Sequence, residues 1–530
     1  MVESPEPATA GAVALVIVGI GLTLMLSSTQ AFIGARVGSD HPVHVFLTRN
    51  IRDNGYRLFV RIPRLLNECY CAAVPLYMHW IVAHFRAGAV YWCERLLNPA
   101  VNTLHVVAFA ALALIAAHLE NLPILFVGLA TCAFALTPQF YHALSARNFG
   151  LSSRATGLLL LTLFFLDAYA AEGAVEPALT WPALVVLGWL VWGFSTFAQQ
   201  ALCITSVFLV VLGGRYVPLV GAALGLVLFI AVHPRYSLGY LAHTQRFIRT
   251  YRRDLAPIYI LASRKSIWRD LVWDIWAKPS GGLMSAARYA YENSLLVVLV
   301  LNPLSVLSCW AALTGMLPAD GVIAYAAALA LAGTSATILT SFRATRFLGE
   351  PERYAEVTAP WAVLCGAYVL FLPHKWTLLA AAIAVFLLMD LLQLYASKLL
   401  LKHAGSYTAQ LEDIAVVVQQ RLSGGVRFCS NNEQFTKMLM QNDWHYAYCL
   451  AIGQDYCGMK VQEAFAAFPL LRREACERIV ATYKVNACLL DRTVFETLFD
   501  EPPPALRSMN IAYESARFRL VILDWAEDRV

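Results

Sequence analysis

The segment that follows the first apolar stretch carries a set of side chains that could do chemistry. In "VGSDHPVHVFLTRN", Asp40 and His41 are adjacent, and His44 lies four residues after Asp40. If a helix begins here, Asp40 and His44 share one face. The arginines of the same segment could contact lipid phosphates. A carboxylate beside imidazole and guanidinium groups suits proton transfer next to a phosphate ester, although Asp40 could instead cap a helix above solvated arginines.

Two later loops and one further stretch add side chains of the same kind. The loop "YHALSARNFGLSSR" carries Arg147 and Arg154, and "FRATRFLGEPERYAEVTAP" carries Arg353 and Tyr354 just before an apolar run. The stretch "VPLYMHWIVAHF" contributes His79. A lone histidine at a membrane interface is more often structural than functional, so a role for His79 depends on what it contacts.

A membrane scaffold must position these side chains. The chain has 530 residues, of which 59% are hydrophobic and only 14% charged, with a mean hydropathy of +0.58. A soluble domain carries about a quarter charged residues. Apolar runs of about 17–25 residues recur over the first 400 positions, which is typical of membrane-spanning helices. The sequence therefore predicts an all-α, multi-pass membrane protein.

We predict eleven membrane helices, near residues 10–30, 97–119, 122–140, 155–172, 180–198, 200–213, 216–233, 293–316, 320–341, 358–373 and 376–398. The first is interpreted as a retained helix, not as a cleaved signal peptide. Two polar segments, 34–95 and 234–292, are predicted to lie at the headgroup level. Within the first, residues 74–92 are interpreted as interfacial and not as a twelfth span. Together, residues 1–400 form the predicted transmembrane domain.

Residues 401–530 form a predicted soluble domain of α/β class. Strands are predicted at 424–430, 444–453, 486–492 and 517–525, with helices at 431–443 and 470–485. This alternation favours a small α/β fold. No glycine-rich phosphate-binding motif marks it as a nucleotide site. A net charge of +5 without a basic tract argues against nucleic acid, and twelve cysteines without CxxC spacing indicate neither a zinc knuckle nor a redox motif.

These motifs together resemble the GT-C superfamily of membrane glycosyltransferases. That family places an acid after its first helix in a D-x-x-x-H-like pattern, and then a helix with R-x-I-x-x-x-G. "DHPVHVFLTRNIRDNG" is similar to both patterns. "FALTPQFYHALSARNFGLSSRATGLLLL" resembles the family's apolar helix that ends in proline before an arginine-bearing loop. "GEPERYAEVTAPWAVL" is similar to its R-Y-x-x-x-x-x-P segment. A small α/β domain after the last span is common in the family.

The resemblance implies transfer of a sugar from a polyprenyl-phosphate donor to an acceptor hydroxyl at the outer membrane surface. It implies that Asp40 acts as the general base, or positions the acceptor or a metal. Arginines would hold the leaving phosphate, and histidines would hydrogen bond the donor or acceptor. The substrate-binding candidates are His41, His44, His79, Arg147, Arg154, Arg353 and Tyr354. The setting implied is the cell envelope, at a bacterial inner membrane, with membrane lipids and other membrane assembly proteins as further partners.

Two features depart from the family pattern and leave alternatives open. The loop "SARNFGLSSR" lacks the second acid that many members carry, so a divalent metal is not predicted as a certain cofactor. The positive-inside rule places the arginine-rich side in the cytoplasm, opposite to the family's usual arrangement, which leaves the sidedness of Asp40 open. The alternative functions are a noncatalytic membrane subunit of a polysaccharide or glycolipid assembly complex, and a lipid or glycolipid transporter.

Overall fold

The protein is an integral, multi-pass membrane protein built mainly of helices, with a small sheet domain at the C-terminal end. The computed structural model describes residues 6–34, 41–58, 62, 64–66, 74–142, 150–173, 177–255, 258, 294–342, 344–372, 376–422, 425–447 and 457–526. Within these residues, eight helices are long and apolar enough to cross a membrane. The predicted class is therefore confirmed.

In chain order the helices are α1 (Glu6–Gly34), α2 (His41–Asp53), α3 (Tyr77–Ala83), α4 (Ala87–Leu119), α5 (Leu125–Ala135), α6 (Arg154–Glu172), α7 (Pro177–Phe194), α8 (Thr196–Gly213), α9 (Val217–Val232), α10 (Pro234–Thr250), α11 (Ser294–Leu301), α12 (Pro303–Leu313), α13 (Gly321–Ser341), α14 (Glu352–Phe371), α15 (Trp376–Arg421), α16 (Glu433–Leu439), α17 (Val461–Ala464) and α18 (Arg473–Thr482). The strands are β1 (Arg427–Ser430), β2 (His445–Tyr446), β3 (Phe465–Ala467), β4 (Leu470–Leu471), β5 (Ala487–Asp491), β6 (Leu506–Glu514) and β7 (Phe518–Trp525).

Each of the eleven predicted spans overlaps helices among the described residues, but the number of eleven spans is not confirmed. The apolar helices Leu125–Tyr141, Val217–Val232 and Pro303–Leu313 are shorter than the eight long ones. The stretch 74–92 forms no separate span, because the short helix α3 ends at Ala83 and α4 begins at Ala87. The chain divides into two compact units, and the first consists of Met1–Ala35, Trp92–Val232 and Arg264–Leu400.

Close helix packing in this first unit depends on glycines. A Cβ added to Gly225 of α9 would lie 2.6 Å from the backbone carbonyl carbon of Gly188 in α7, so the two helices approach at backbone distance. Small residues at such crossings are a common device of membrane helices, because lipid supplies no hydrophobic drive between them. Two glycines 37 positions apart in the sequence therefore allow the closest backbone approach between α7 and α9.

We expect Gly225→Ala to destabilise the protein by about 1–3 kcal/mol, the usual cost of overpacking a close contact. The atoms that the new methyl group would meet are backbone atoms, which cannot rotate away. The matched control is Gly21→Ala in α1, where an added Cβ meets nothing within 4 Å. Thermal unfolding of both variants in detergent tests this, and an equal melting temperature for the two would contradict it.

A buried carboxyl group lies in the interior of α15, the helix that contains the last predicted span. The membrane helix predicted at 376–398 continues to Arg421, so Asp390 is far from either terminus. Asp390 is fully buried, and neither side-chain oxygen has a hydrogen-bond partner among the described residues. Ionisable groups at such positions are costly and uncommon.

The second unit consists of Arg36–Tyr91, His233–Ser263 and Leu401–Val530. Its five-stranded sheet has the order β2-β1-β5-β7-β6, in which β2, β1 and β5 are parallel and β7 pairs antiparallel with β5 and β6. Helix α18 and residues of the sheet form its apolar core. Each predicted strand and helix of the tail overlaps an observed one, although the strand predicted at 444–453 is described only to residue 447 and is a strand at His445–Tyr446. The elements β3, β4, β6 and α17 were not predicted.

The first polar segment folds onto this sheet. Residues 64–66 pair with β2, since the backbone N–H of Leu66 donates to the carbonyl oxygen of Tyr446 at 2.9 Å. Phe46 of α2 packs edge-on against the Tyr446 ring, with centroids 5.7 Å apart. Arg49 of α2 donates to the carbonyl oxygen of Gln441 at 2.9 Å. The sheet therefore fixes the orientation of the helix that carries His41 and His44.

Candidate functional site

Helices α2 and α3 bring two of the predicted histidines into contact. The Nδ1 atom of His44 and the Nε2 atom of His79 are 2.7 Å apart, and the rings are stacked with centroids 5.0 Å apart. His79 is fully buried, whereas His44 is half-buried. At this distance one nitrogen donates a proton to the other, so the two rings share a single hydrogen bond. His44 can therefore face a ligand while His79 holds its ring in place.

Burial and the neighbouring His44 lower the pKa of His79 well below its usual value, with burial as the larger cause. A protonated His79 would place a charge in a site without solvent, and it would repel any proton on His44. His79 is therefore neutral at physiological pH. A neutral imidazole can both accept and donate, which suits the positioning of a hydroxyl group.

This lowered pKa gives an expectation for stability against pH. Because the unfolded chain binds a proton at His79 more readily than the folded chain, stability is full above about pH 6.5 and falls as the pH drops towards the folded-state value. The slope is about 1.4 kcal/mol per pH unit for one such group. His79→Gln should flatten this loss, measured as the melting temperature between about pH 7 and 5. His84→Gln, which replaces an exposed histidine, is the control, and parallel curves for wild type and His79→Gln would contradict the expectation.

The first-segment acid lies outside the described residues. Asp40 precedes His41, which is buried and is the first residue of α2. The chain position next to a helix start is that of a capping residue, so a cap remains an alternative to catalysis. Arg147 also lies outside the described residues, as does the rest of the loop 143–149. A role for either residue stays a prediction.

In the membrane unit, the starts of three long helices meet around one aromatic ring. Arg154 is the first residue of α6, Phe197 the second of α8, and Arg353 the second of α14. The guanidinium carbons of Arg154 and Arg353 lie 6.0 and 5.5 Å from the centroid of the Phe197 ring. The buried Tyr354 ring packs edge-on against the same ring at 5.7 Å. The structure thus brings Arg154 together with the adjacent residues Arg353 and Tyr354, although the two segments that carry them are about 200 positions apart in the sequence.

Both arginines are paired with carboxylates but keep donors to spare. Arg154 pairs with Glu356, whose side chain is 2% exposed, and Arg353 pairs with Glu350. The Nε–H groups of Arg154 and Arg353 are buried and have no hydrogen-bond partner in the described part of the chain. Helix starts also carry partial positive charge. The two guanidinium groups keep unused N–H donors and lie where three helices begin. They can therefore bind an anionic group such as a phosphate.

Tyr354 has a structural role in this cluster. Its hydroxyl donates to the carbonyl oxygen of Leu348 at 2.6 Å, which holds the turn before α14. That bond uses the one proton the hydroxyl has. Tyr354 is therefore placed to orient Phe197 and the preceding turn, and it could offer a ligand only an acceptor oxygen.

Sequence reasoning missed Phe197 and Glu356. Phe197 follows Ser195 in an apolar run that looks like any membrane span, and nothing in its own neighbourhood marks it. Glu356 gave a weak signal, because an acid four positions before the proline of "ERYAEVTAP" is unusual near the start of a membrane helix. Its partner Arg154 is 202 residues away in the chain.

Comparison with solved structures gives matches over almost the whole chain. ArnT from Cupriavidus metallidurans bound to undecaprenyl phosphate matches with a TM-score of 0.56 and 11% identity, covering 96% of this chain and 97% of ArnT. The oligosaccharyltransferase of Archaeoglobus fulgidus in the apo form matches with a TM-score of 0.51 and 13% identity, covering 91% of this chain and 69% of that one. No protein-family model and no curated protein matches the sequence. At these identities the likeness is one of fold.

Proposed function

We propose, from the GT-C fold that this chain has, that it transfers a sugar from a polyprenyl-phosphate donor to an acceptor hydroxyl at the membrane surface. The observation that carries the proposal is the match with ArnT over 96% of the chain, because that structure holds undecaprenyl phosphate. The arginine cluster around Phe197 supports it with groups suited to a phosphate.

The chemistry would divide between two sets of residues. The Asp40 carboxylate would accept the proton of the attacking hydroxyl as its oxygen bonds to the anomeric carbon. The bond from that carbon to the donor phosphate breaks, and the phosphate oxygen keeps the electron pair. Arg154 and Arg353, with Arg147, would stabilise this charge through bidentate contacts. His44, held by His79, would donate a hydrogen bond to the acceptor or to the donor sugar. His41, three residues before His44, would also contact the substrate.

Binding of the lipid phosphate alone tests the donor half of this proposal. We expect undecaprenyl phosphate to raise the melting temperature of the purified protein, since a ligand at about one hundred times its Kd stabilises by about 2.7 kcal/mol. Undecaprenol, which lacks the phosphate, is the matched ligand control. Arg353→Gln should weaken the response to the phosphate at least tenfold in apparent Kd. Equal shifts from the two lipids, or an unchanged Kd in Arg353→Gln, would count against a phosphate site at this cluster.

A further inference from the structure

Three cysteines from separate elements meet in the core of the C-terminal unit. Cys429 lies on β1 and Cys488 on the neighbouring parallel strand β5, where the two are register partners. Cys476 lies on α18, which packs over this sheet. The Sγ atoms of Cys429 and Cys488 are 3.5 Å apart, and the three Sγ atoms all lie within 4.8 Å of one another. All three side chains are at most 1% exposed.

We propose that these three thiols form a buried site for a soft, thiophilic cation, Zn²⁺ or Cu⁺. A zinc–sulfur bond is about 2.3 Å, so three sulfurs around one ion lie about 3.8–4.0 Å apart. One observed pair is 3.5 Å apart and no pair is more than 4.8 Å apart, so small side-chain rotations would bring the three sulfurs to these distances around an ion. Thiolates are the ligands that select such ions over Mg²⁺ or Ca²⁺.

The position of Cys476 adds to the argument. It is the fourth residue of α18 and therefore lies in the first turn, where the helix dipole favours a negatively charged sulfur. Three thiolates around Zn²⁺ leave one net negative charge, which this helix end can offset. The simpler explanation is that the three thiols pack as small apolar side chains. It predicts no bound metal, so the two explanations are separable.

Metal analysis of the full-length protein decides between them. The protein is expressed with added Zn²⁺ or Cu²⁺ salts, purified in detergent without chelators, and measured by inductively coupled plasma mass spectrometry. We expect about one ion per chain, because metal binding to such a site is coupled to folding. Cys476→Ser should lower the number of ions per chain at least tenfold. Cys457→Ser, which changes a partly exposed cysteine beside the same core, is the control and should keep the ion.

Two results overturn the proposal whether or not Cys476→Ser folds. One is folded wild-type protein with less than about one ion per ten chains after expression with both metals. The other is a Cys429–Cys488 disulfide in that protein, found by peptide mass spectrometry. As a second measurement, protein from cobalt-supplemented cells should show thiolate-to-cobalt charge-transfer absorption. This absorption should persist in Cys457→Ser, and its absence from cobalt-loaded wild type contradicts thiolate ligation.

Discussion

Asp40→Asn is expected to lower the rate of the proposed sugar transfer by about 10²–10⁴-fold, the range that a general base contributes. Asparagine cannot accept the proton of the attacking hydroxyl at neutral pH. It caps a helix about as well as aspartate does, and α2 begins at the next residue, His41. The substitution therefore removes the carboxylate but leaves a side chain that can cap a helix equally well, so expression and melting temperature should not change.

The assay uses whichever member of a panel of polyprenyl-phosphate sugars the wild type consumes. Asp413→Asn, an exposed position on α15, is the control and should retain the wild-type rate. Full activity in Asp40→Asn would remove Asp40 from catalysis, and a lower melting temperature in Asp40→Ala would then assign it to the cap. Asp390→Asn tests the transporter alternative. A transporter depends on charges inside the helix bundle and should lose activity in this variant, whereas the rate of sugar transfer should not change.

The membrane helices could be predicted because each rests on a local property, an apolar run long enough for the bilayer. The lengths of the helices were less predictable where a helix continues through polar residues beyond its apolar run. The prediction ended the last span at 398, but "KHAGSYTAQLEDIAVVVQQR" continues α15 to Arg421 without a proline to stop it. Strand β6 was missed for a related reason. Its residues Leu506–Glu514 are mostly exposed at the sheet edge, so no apolar alternation marks them.

The candidate site could be predicted only one residue at a time. The arginine loops and the histidines were found because charged groups are rare in this chain. Their pairing was not predictable, since His44 and His79 are 35 positions apart and meet only through the packing of α2 against α3. Arg154 and Glu356 meet through the packing of α6 against α14. Contacts of this kind depend on the helix arrangement, which local patterns do not encode.

Variants of the Arg154–Glu356 pair can separate a structural role of Arg154 from a role in phosphate binding. Arg154→Gln leaves the buried Glu356 carboxylate without the guanidinium that faces it. Breaking one side of a buried ion pair typically costs about 3–5 kcal/mol. We therefore expect this variant to lose both stability and activity, which alone does not assign a role to Arg154.

The double variant Arg154→Gln, Glu356→Gln resolves this. Two neutral amides of similar size can hydrogen bond to each other, so most of the lost stability should return. If Arg154 contacts the donor phosphate, activity and undecaprenyl phosphate binding stay at least tenfold below wild type in the stable double variant. If activity and undecaprenyl phosphate binding return together with the melting temperature, Arg154 has only a structural role and does not contact the phosphate.

Arg353 offers the complementary case, because its partner Glu350 is 37% exposed and Arg353 itself 29%. A half-exposed pair contributes only about 0–1 kcal/mol, so Arg353→Gln should leave the melting temperature close to that of the wild type while weakening phosphate binding. Two arginines on one aromatic ring thus differ in how they can be tested. Agreement between the stable Arg353 variant and the stabilised Arg154 double variant would place the phosphate at the ring of Phe197, since that ring is what the two guanidinium groups share.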